Sequence, residues 1–286
     1  MCGRYAASSR PEDLVEEFEI DVDRTDEPTR SILATPQQPP AGEPDYNVAP
    51  TKQAPVVLTR LPRPSSGAEE AYAESAPPTR QLRLLTWGLV PSWAKDIKAG
   101  LRMTNARAES VLDKAAFARP AASRRCLVPA DGWYEWQVSP AATDAKGKPR
   151  KQPFFLHRSD GHPLAMAGLY EFWRDPAVTD ADDPAAWLTT YTVITTEADP
   201  GLDRIHDRQP LILEREDWAE WLDPTVTDLD TVRRLLAFSR PGRFDAYPIS
   251  VAVNSSRNNG PELLRPVGRE DLVGVVDPTT GEVIGG

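Results

Sequence analysis

From Ala54 onward the chain sets one β-branched or aromatic run after another with no helical segment between most of them, and that order limits the folds open to it. "APVVLTRL" (Ala54–Leu61), "QLRLLTWGLVP" (Gln81–Pro91), "PFFLHR" (Pro153–Arg158), "LAMAGLYEFW" (Leu164–Trp173), "TTYTVITTEA" (Thr189–Ala198) and "QPLILE" (Gln209–Glu214) all read as strands. Strands in direct succession predict largely antiparallel sheets with helices packed outside, an α+β fold. Helical spacing recurs in three places: Pro11–Ile20, with Ser9 as its cap and Leu14, Val15 and Phe18 on one face, then Arg215–Asp223 and Asp228–Phe238.

Three stretches interrupt this pattern and read as insertions, at about 24–45, 62–80 and 139–151. The first is rich in Pro, Thr and Gln, the second is of low complexity, and the third is hairpin-like. The remainder predicts a single domain over residues 2–270, followed by a C-terminal tail, 271–286. No Gly-rich phosphate loop, internal repeat or dinucleotide fingerprint is present.

No run of about 18 apolar residues exists, so no membrane partner is expected, and no charged-then-apolar leader suggests secretion. The two cysteines, Cys2 and Cys126, cannot form a disulfide framework, and no C-x-x-C or H-E-x-x-H spacing suggests zinc. A reducing, cytoplasmic location is the expectation. The formal net charge of −10 argues against nucleic acid. Its distribution weakens that argument, because residues 10–45 hold eleven acids against three arginines. The middle of the chain is locally basic: Lys95, Lys98, Arg102 and Arg107, then Arg119, Arg124 and Arg125, then Lys146–Lys151.

Five polar clusters could carry chemistry. They are "CGRY" (Cys2–Tyr5), "YNVAPT" (Tyr46–Thr51), "TNARAES" (Thr104–Ser110), "DGWYEW" (Asp131–Trp136) and "IHDRQP" (Ile205–Pro210). Each has an ordinary structural reading. Asn47 suits a turn. Arg107 and Glu109 suit a surface pair. Glu135 suits the solvent face of a strand, though an inward orientation among Tyr134 and Trp136 would raise its pKa. His206 suits a turn hydrogen bond, and Trp87 and Trp93 suit a core. Together they supply a thiol with an adjacent amine, once Met1 is removed, plus a carboxylate, an imidazole, and Asn and Arg donors. Those are the parts needed to capture an aldehyde and hold a neighbouring phosphate.

"MCGRY", "YNVAPT", "WGLVPSW", "TNARAES", "RRCLVPADGWYEW", "QPFF" and "IHDRQPLIL", in this order from Cys2 to about Val267, resemble the SOS response-associated peptidase (SRAP) family of abasic-site-processing proteins. The resemblance implies one SRAP-like domain of curved, barrel-like sheets, acting as a monomer on single-stranded DNA that contains abasic sites, with no cofactor. It implies that the amine of Cys2 attacks the C1′ aldehyde and that the thiol closes a thiazolidine, giving a shielded DNA–protein cross-link. An amine near ~8 and a thiol near ~8.5 are only partly deprotonated at neutral pH, so neighbours must move protons. The resemblance assigns Glu135 as acid/base near the amine and His206 to sugar ring opening and reversal. Asn105 would fix the Cys2 amine or a sugar hydroxyl. Arg4, Arg107 and Arg208 would grip phosphates, Asn47 and Pro50 would shape the pocket, and Trp93 would stack or wedge at a splayed base step.

Two departures from the family pattern stand out: Ala94, where a second aromatic is common, and Gln209, where methionine or arginine is common. The acidic segment Arg10–Asp45 is expected to lie away from the cleft. Two other readings remain open: a thiol peptidase or hydrolase using Cys2 with His206, and a noncovalent DNA-binding module.

Overall fold

The computed structural model describes residues 2–61, 77–180, 183–237 and 240–284. Most of the insertion expected at 62–80 therefore lies outside the described residues, as do Phe238 of the third helical run and the last two residues of the tail.

Fifteen strands and four α-helices follow one another among the described residues. The strands are β1 (Tyr5–Ala7), β2 (Val22–Asp23), β3 (Asp45–Val48), β4 (Gln53–Arg60), β5 (Thr79–Trp87), β6 (Asn105–Arg107), β7 (Arg125–Ala130) and β8 (Gly132–Thr143). They continue as β9 (Pro149–Arg158), β10 (Leu164–Arg174), β11 (Trp187–Glu197), β12 (Arg208–Pro210), β13 (Phe244–Pro248), β14 (Val275–Val276) and β15 (Val283–Ile284). The helices are α1 (Pro11–Glu17), α2 (Ala118–Ser123), α3 (Arg215–Leu222) and α4 (Leu229–Leu236).

Five of the strands close a barrel. β4 pairs antiparallel with β5 and with β7, β7 with β10, and β10 with β11. The ring shuts through a short parallel contact, Thr190 opposite Thr86 and Tyr191 opposite Trp87. The fold is thus α+β, mostly antiparallel and barrel-like, as the order of the strand runs predicts.

Period-2 alternation explains why those runs are apolar throughout. On β4, Val56 and Leu58 point into the barrel while Val57 points out; on β10, Met166 and Tyr170 point in while Ala165, Ala167 and Leu169 point out. The inner residues join one core and the outer residues meet the helices, so both faces of each strand are buried. Leu14 of α1, Trp218 and Trp221 of α3, and Val232 and Leu235 of α4 cover the outside, and Phe18 stacks on Trp218 at 4.7 Å. Arg125 is structural: its guanidinium donates to the carbonyls of Ala121, Ala122, Trp221, Asp223 and Val226. It is therefore not available to a ligand.

A second antiparallel sheet, ordered β13-β9-β8-β1-β3, lies beside the barrel. Tyr5 of β1 joins the two layers, with its hydroxyl 2.6 Å from that of Tyr191 inside the barrel and its ring edge-on to Trp87. The stretch at 139–151 forms the end of the β8–β9 hairpin. The C-terminal tail packs on β8. Gln137 Nε2 donates to the carbonyls of Val276 and Arg204, and Val276 N donates back to Gln137 Oε1.

Two local expectations need correction. Helix α1 is capped at Arg10 rather than Ser9; the Asp13 carboxylate accepts the Arg10 N–H, while the Ser8 N–H is held by Asp131. The strand expected at Gln209–Glu214 ends at Pro210. Leu211 still donates to the Ile194 carbonyl of β11, but its own carbonyl accepts from the Ala167 N–H of β10, and the Leu213 N–H donates to the Ala165 carbonyl, so the chain crosses from β11 to β10.

Candidate active site

β1 and β8 run antiparallel, with Tyr5 opposite Trp133 and the Tyr134 N–H donating to the Arg4 carbonyl. That register carries the chain's first residues back past Glu135 on β8. Cys2 is fully buried, its Sγ 3.9 Å from the Arg4 carbonyl. Asn105 enters from the opposite side on β6, which is held by parallel pairing of Asn105–Arg107 with Val193–Thr195 of β11. Its Nδ2 donates to the Cys2 carbonyl at 2.7 Å. The side chain the resemblance assigns to the amine or a sugar hydroxyl thus holds the backbone of Cys2 itself.

Glu135 is 3% exposed, and burial pushes its carboxyl up to about 7. Burial, reinforced by the charge of Glu135, raises the Cys2 thiol far above its ordinary value. The thiol is therefore the protonated partner of this pair at neutral pH. His206 follows the turn Leu202–Arg204 and places Nε2 4.0 Å from Glu135 Oε2. The Arg208 N–H donates to His206 Nδ1 at 3.0 Å, which leaves the ring proton of the neutral imidazole on Nε2, toward Glu135. Asp207 Oδ1 also lies 2.9 Å from Nδ1, but its side chain is largely exposed and free to turn away from the lone pair. Burial pushes His206 below its ordinary value, so it is neutral at pH 7.

Cys2, Asn105, Glu135 and His206, scattered over the sequence, are thus one cluster. The remaining candidates fall into two groups. Arg107 is exposed two residues after Asn105, and Trp93 is 63% exposed in the turn after β5. Ala94, beside it, is buried against Trp173, whose Nε1 donates to the Ala94 carbonyl at 2.7 Å. Pro50 is half-buried within a tight turn closed by the Lys52 N–H on the Ala49 carbonyl, with Thr51 at a φ of 77° and its N–H donating across to the Trp87 carbonyl.

Arg4, Asn47 and Arg208 are instead tied into the protein. Arg4 Nη1 donates to Asn47 Oδ1 at 2.7 Å and to the Val253 carbonyl at 3.0 Å, leaving its buried Nε without a partner. The Asn47 amide donates to the carbonyls of Val253, Ser255 and Asn258 and is fully buried, so it shapes the pocket by bracing that loop. Arg208 makes a two-pronged pair with Glu109, at 2.8 and 3.0 Å, and also donates to the Thr195 carbonyl. A phosphate would have to displace Glu109 to use that fork. Glu109 therefore pairs with Arg208, not with Arg107. Against some cost of burial, the guanidinium holds its carboxyl below the ordinary range.

Of the acidic segment expected to lie away from the cleft, the last residue, Asp45, reaches the Asn47 that braces the pocket, its Oδ1 accepting the Asn47 N–H at 2.8 Å. Asp45 also accepts from Lys52 Nζ at 2.7 Å, and the same ammonium donates to the Asn47 carbonyl. A buried ammonium needs a carboxylate, and the turn Val48–Thr51 brings the two together. Sequence reasoning missed two groups: the Tyr5–Tyr191 hydroxyl pair in the core that holds Cys2, and Gln137, which joins the His206 turn to the tail. The i, i+2 relation of Glu135 and Gln137, two polar residues on one strand face, was the available signal for the second.

A buried N-terminal cysteine set among a perturbed carboxylate, an imidazole and a backbone-holding asparagine, at the junction of a barrel and a second sheet, defines a class that the comparisons identify. The family described as SOS response associated peptidase (SRAP) matches residues 1–256, and the chain belongs to that family. It is similar to the abasic site processing protein YoqW of Bacillus subtilis, 37% identical over 266 residues that cover 92% of this chain and 99% of the relative. It is also similar to the abasic site processing protein HMCES of Mus musculus, 32% identical over 252 residues, 78% of this chain and 65% of the relative. Among solved structures, a protein from Bacteroides thetaiotaomicron shares the fold with a TM-score of 0.65 at 22% identity, covering 93% of this chain and 100% of that one. A phage-related protein from Bordetella bronchiseptica matches with a TM-score of 0.55 at 30% identity, covering 87% and 94%.

Proposed function

We propose that this protein captures abasic sites in single-stranded DNA as a thiazolidine on Cys2, after removal of Met1. The observation that carries the reading is the cluster itself. Asn105 holds the Cys2 backbone, Glu135 can both give and take a proton near pH 7, and His206 presents an N–H toward the same carboxyl.

The order of bond formation follows from the proton states. The buried thiol is protonated, so the amine is the better first nucleophile. It adds to the C1′ aldehyde, and protonated Glu135 delivers the proton with which the hydroxyl leaves as water, giving an iminium. The thiol then adds to that carbon as its proton passes to the carboxylate of Glu135; the C=N electron pair returns to nitrogen, which is left as a neutral secondary amine, and Glu135 is protonated again. One water is released overall, and the closed ring removes the iminium that would promote β-elimination. His206 serves the ring-opening of the sugar and the reverse reaction.

Trp93 and Arg107 are the exposed groups suited to the strand on either side, through stacking and phosphate pairing. The unpartnered Arg4 Nε suits a phosphate or sugar oxygen. We place the protein on DNA as a monomer in the cytoplasm, without a metal or organic cofactor.

A thiol peptidase would place an imidazole beside the thiol. Here the Cys2 thiol contacts the Arg4 carbonyl, while His206 faces Glu135. A noncovalent module would need neither a raised carboxyl nor a cysteine at this position. A denaturing gel of processed protein with single-stranded DNA tests the reading. A slow band that requires both the abasic site and Cys2, and is absent with intact DNA or Cys2→Ala, supports capture; its absence defeats it.

A further inference from the structure

We infer that one mouth of the barrel is a second binding site, for a phosphate-bearing ligand of nucleotide type. A cavity of about 700 Å³ opens there, within the ~300–1,000 Å³ range usual for small-molecule sites. Cys2, Asn105, Glu135 and His206 are not among its lining residues. Along β11, Thr189 of the cavity lies four residues before Val193, the partner of Asn105, so about 13 Å of strand separates the two sites.

The charge around this cavity is unbalanced. Arg24, Arg30, Arg83, Arg119 and Arg124 line it, against only two carboxylates, Glu27 and Glu171. Glu171 is engaged by Arg124. Glu27 is shared between Arg24 and Arg83. Arg30 turns to Asp175 at 2.6 Å. Arg119, exposed on α2, makes no ion pair among the described residues.

Structural arginines in this fold look different. Arg125 is saturated by five carbonyls and buried. Like charges gathered around one cavity repel. Four of these arginines are held by protein partners, Arg30 also by the Ala185 carbonyl and the Trp173 ring, yet five guanidiniums still outnumber the three carboxylates, Glu27, Glu171 and Asp175, that meet them. An anion with two or more negative oxygens would relieve that repulsion, and guanidinium forks match phosphate geometry. The other wall suits a base. Phe172 and the partly exposed Trp187 face the cavity, and Arg60 lies over the Phe172 ring at 4.9 Å. Phosphates on the arginine side and a base against the aromatic side define the ligand.

Such phosphates can come from a free nucleotide or from the backbone of an intact single strand. The test compares the unmodified protein with an Arg24→Ser/Arg119→Ser double variant. Both side chains are exposed, so melting should not change. The probes are thymidine 5′-monophosphate and a labelled oligothymidylate with no abasic site, measured over a salt series.

Roughly tenfold weaker binding of the monophosphate by the variant identifies a free nucleotide as the ligand. Weakening of the oligothymidylate alone, with the log–log salt slope reduced by about two, identifies the strand backbone. Equal affinities for both probes in the two proteins, or no binding of either by the unmodified protein, overturn the inference. An Arg119→Glu variant serves if the double variant does not fold, and should weaken binding further. Cross-linking of a short abasic oligonucleotide by the same variants reports on Cys2 separately, so failure here is distinguishable from failure of the capture reading.

Discussion

Replacing Glu135 by Gln should slow cross-linking and stabilise the protein at once. The carboxyl rises from an ordinary 4.5 to about 7 because the folded protein buries it. A raised carboxyl is one whose charged form the fold disfavours. The folded state holds the proton between pH 4.5 and 7 while the unfolded chain has lost it, so stability falls as pH rises through that window. The penalty is nearly absent at pH 4 and reaches about 3 kcal/mol by pH 8, at ~1.4 kcal/mol per unit. Gln keeps the shape without the charge. The variant should therefore melt above the parent at pH 8, by about 5 °C or more for a chain of this size, and match it near pH 4. Loss of the acid/base group should reduce the cross-linking rate by about 10²-fold or more and remove its pH step near 7. Calorimetry at the two pH values and single-turnover gels provide the readouts. If the variant melts no higher than the parent at pH 8 and cross-links at the parental rate, the carboxyl is neither disfavoured nor used, and the reasoning fails.

Asn105→Ala removes the 2.7 Å bond that holds the Cys2 carbonyl, and should cut the cross-linking rate by about tenfold with a loss of only about 1 kcal/mol in stability; a rate unchanged at matched folding would exclude the positioning role. Trp93→Ala should leave melting unchanged, since the side chain is 63% exposed, while weakening single-strand binding by about 1–3 kcal/mol in a titration. Arg107→Ala should lower the salt slope of that binding by about one, without altering the rate once the complex is saturated. Gln137→Ala cuts the link between the tail and the Arg204 turn. It should slow reversal of the cross-link, the His206-dependent step, more than its formation, as a chase of the labelled complex would show.

Much of the fold was legible because both faces of each barrel strand are buried, which produces runs such as "TTYTVITTEA" that hardly alternate in hydropathy. The order of those runs, with no helices between them, gave the antiparallel character. Ring closure was not legible. It rests on one short parallel contact between residues about a hundred positions apart, Thr86 with Thr190, and no local pattern encodes it. The same limit applies at the site. Cys2, Asn105, Glu135 and His206 were legible as motif residues, and β-pairing does bring them together. That the Arg208 fork is occupied by Glu109, 99 residues away, could not be read from either motif. Nor could the burial of Asn47 beneath the Val253–Asn258 loop, because a polar residue in a turn-like sequence gives no sign of which distant carbonyls will claim its amide. Ser9 failed as a cap for a related reason, since Asp131 draws the preceding backbone away.

The ring on Cys2 is the central claim, and intact mass spectrometry of the cross-linked protein, before and after treatment with borohydride, tests it most directly. The account predicts a protein lacking Met1 and carrying the DNA with one water lost, whose mass borohydride leaves unchanged because no C=N bond remains. A gain of two hydrogens on reduction would show an open imine, and retention of Met1 in the adduct would show that the amine of Cys2 was never the nucleophile.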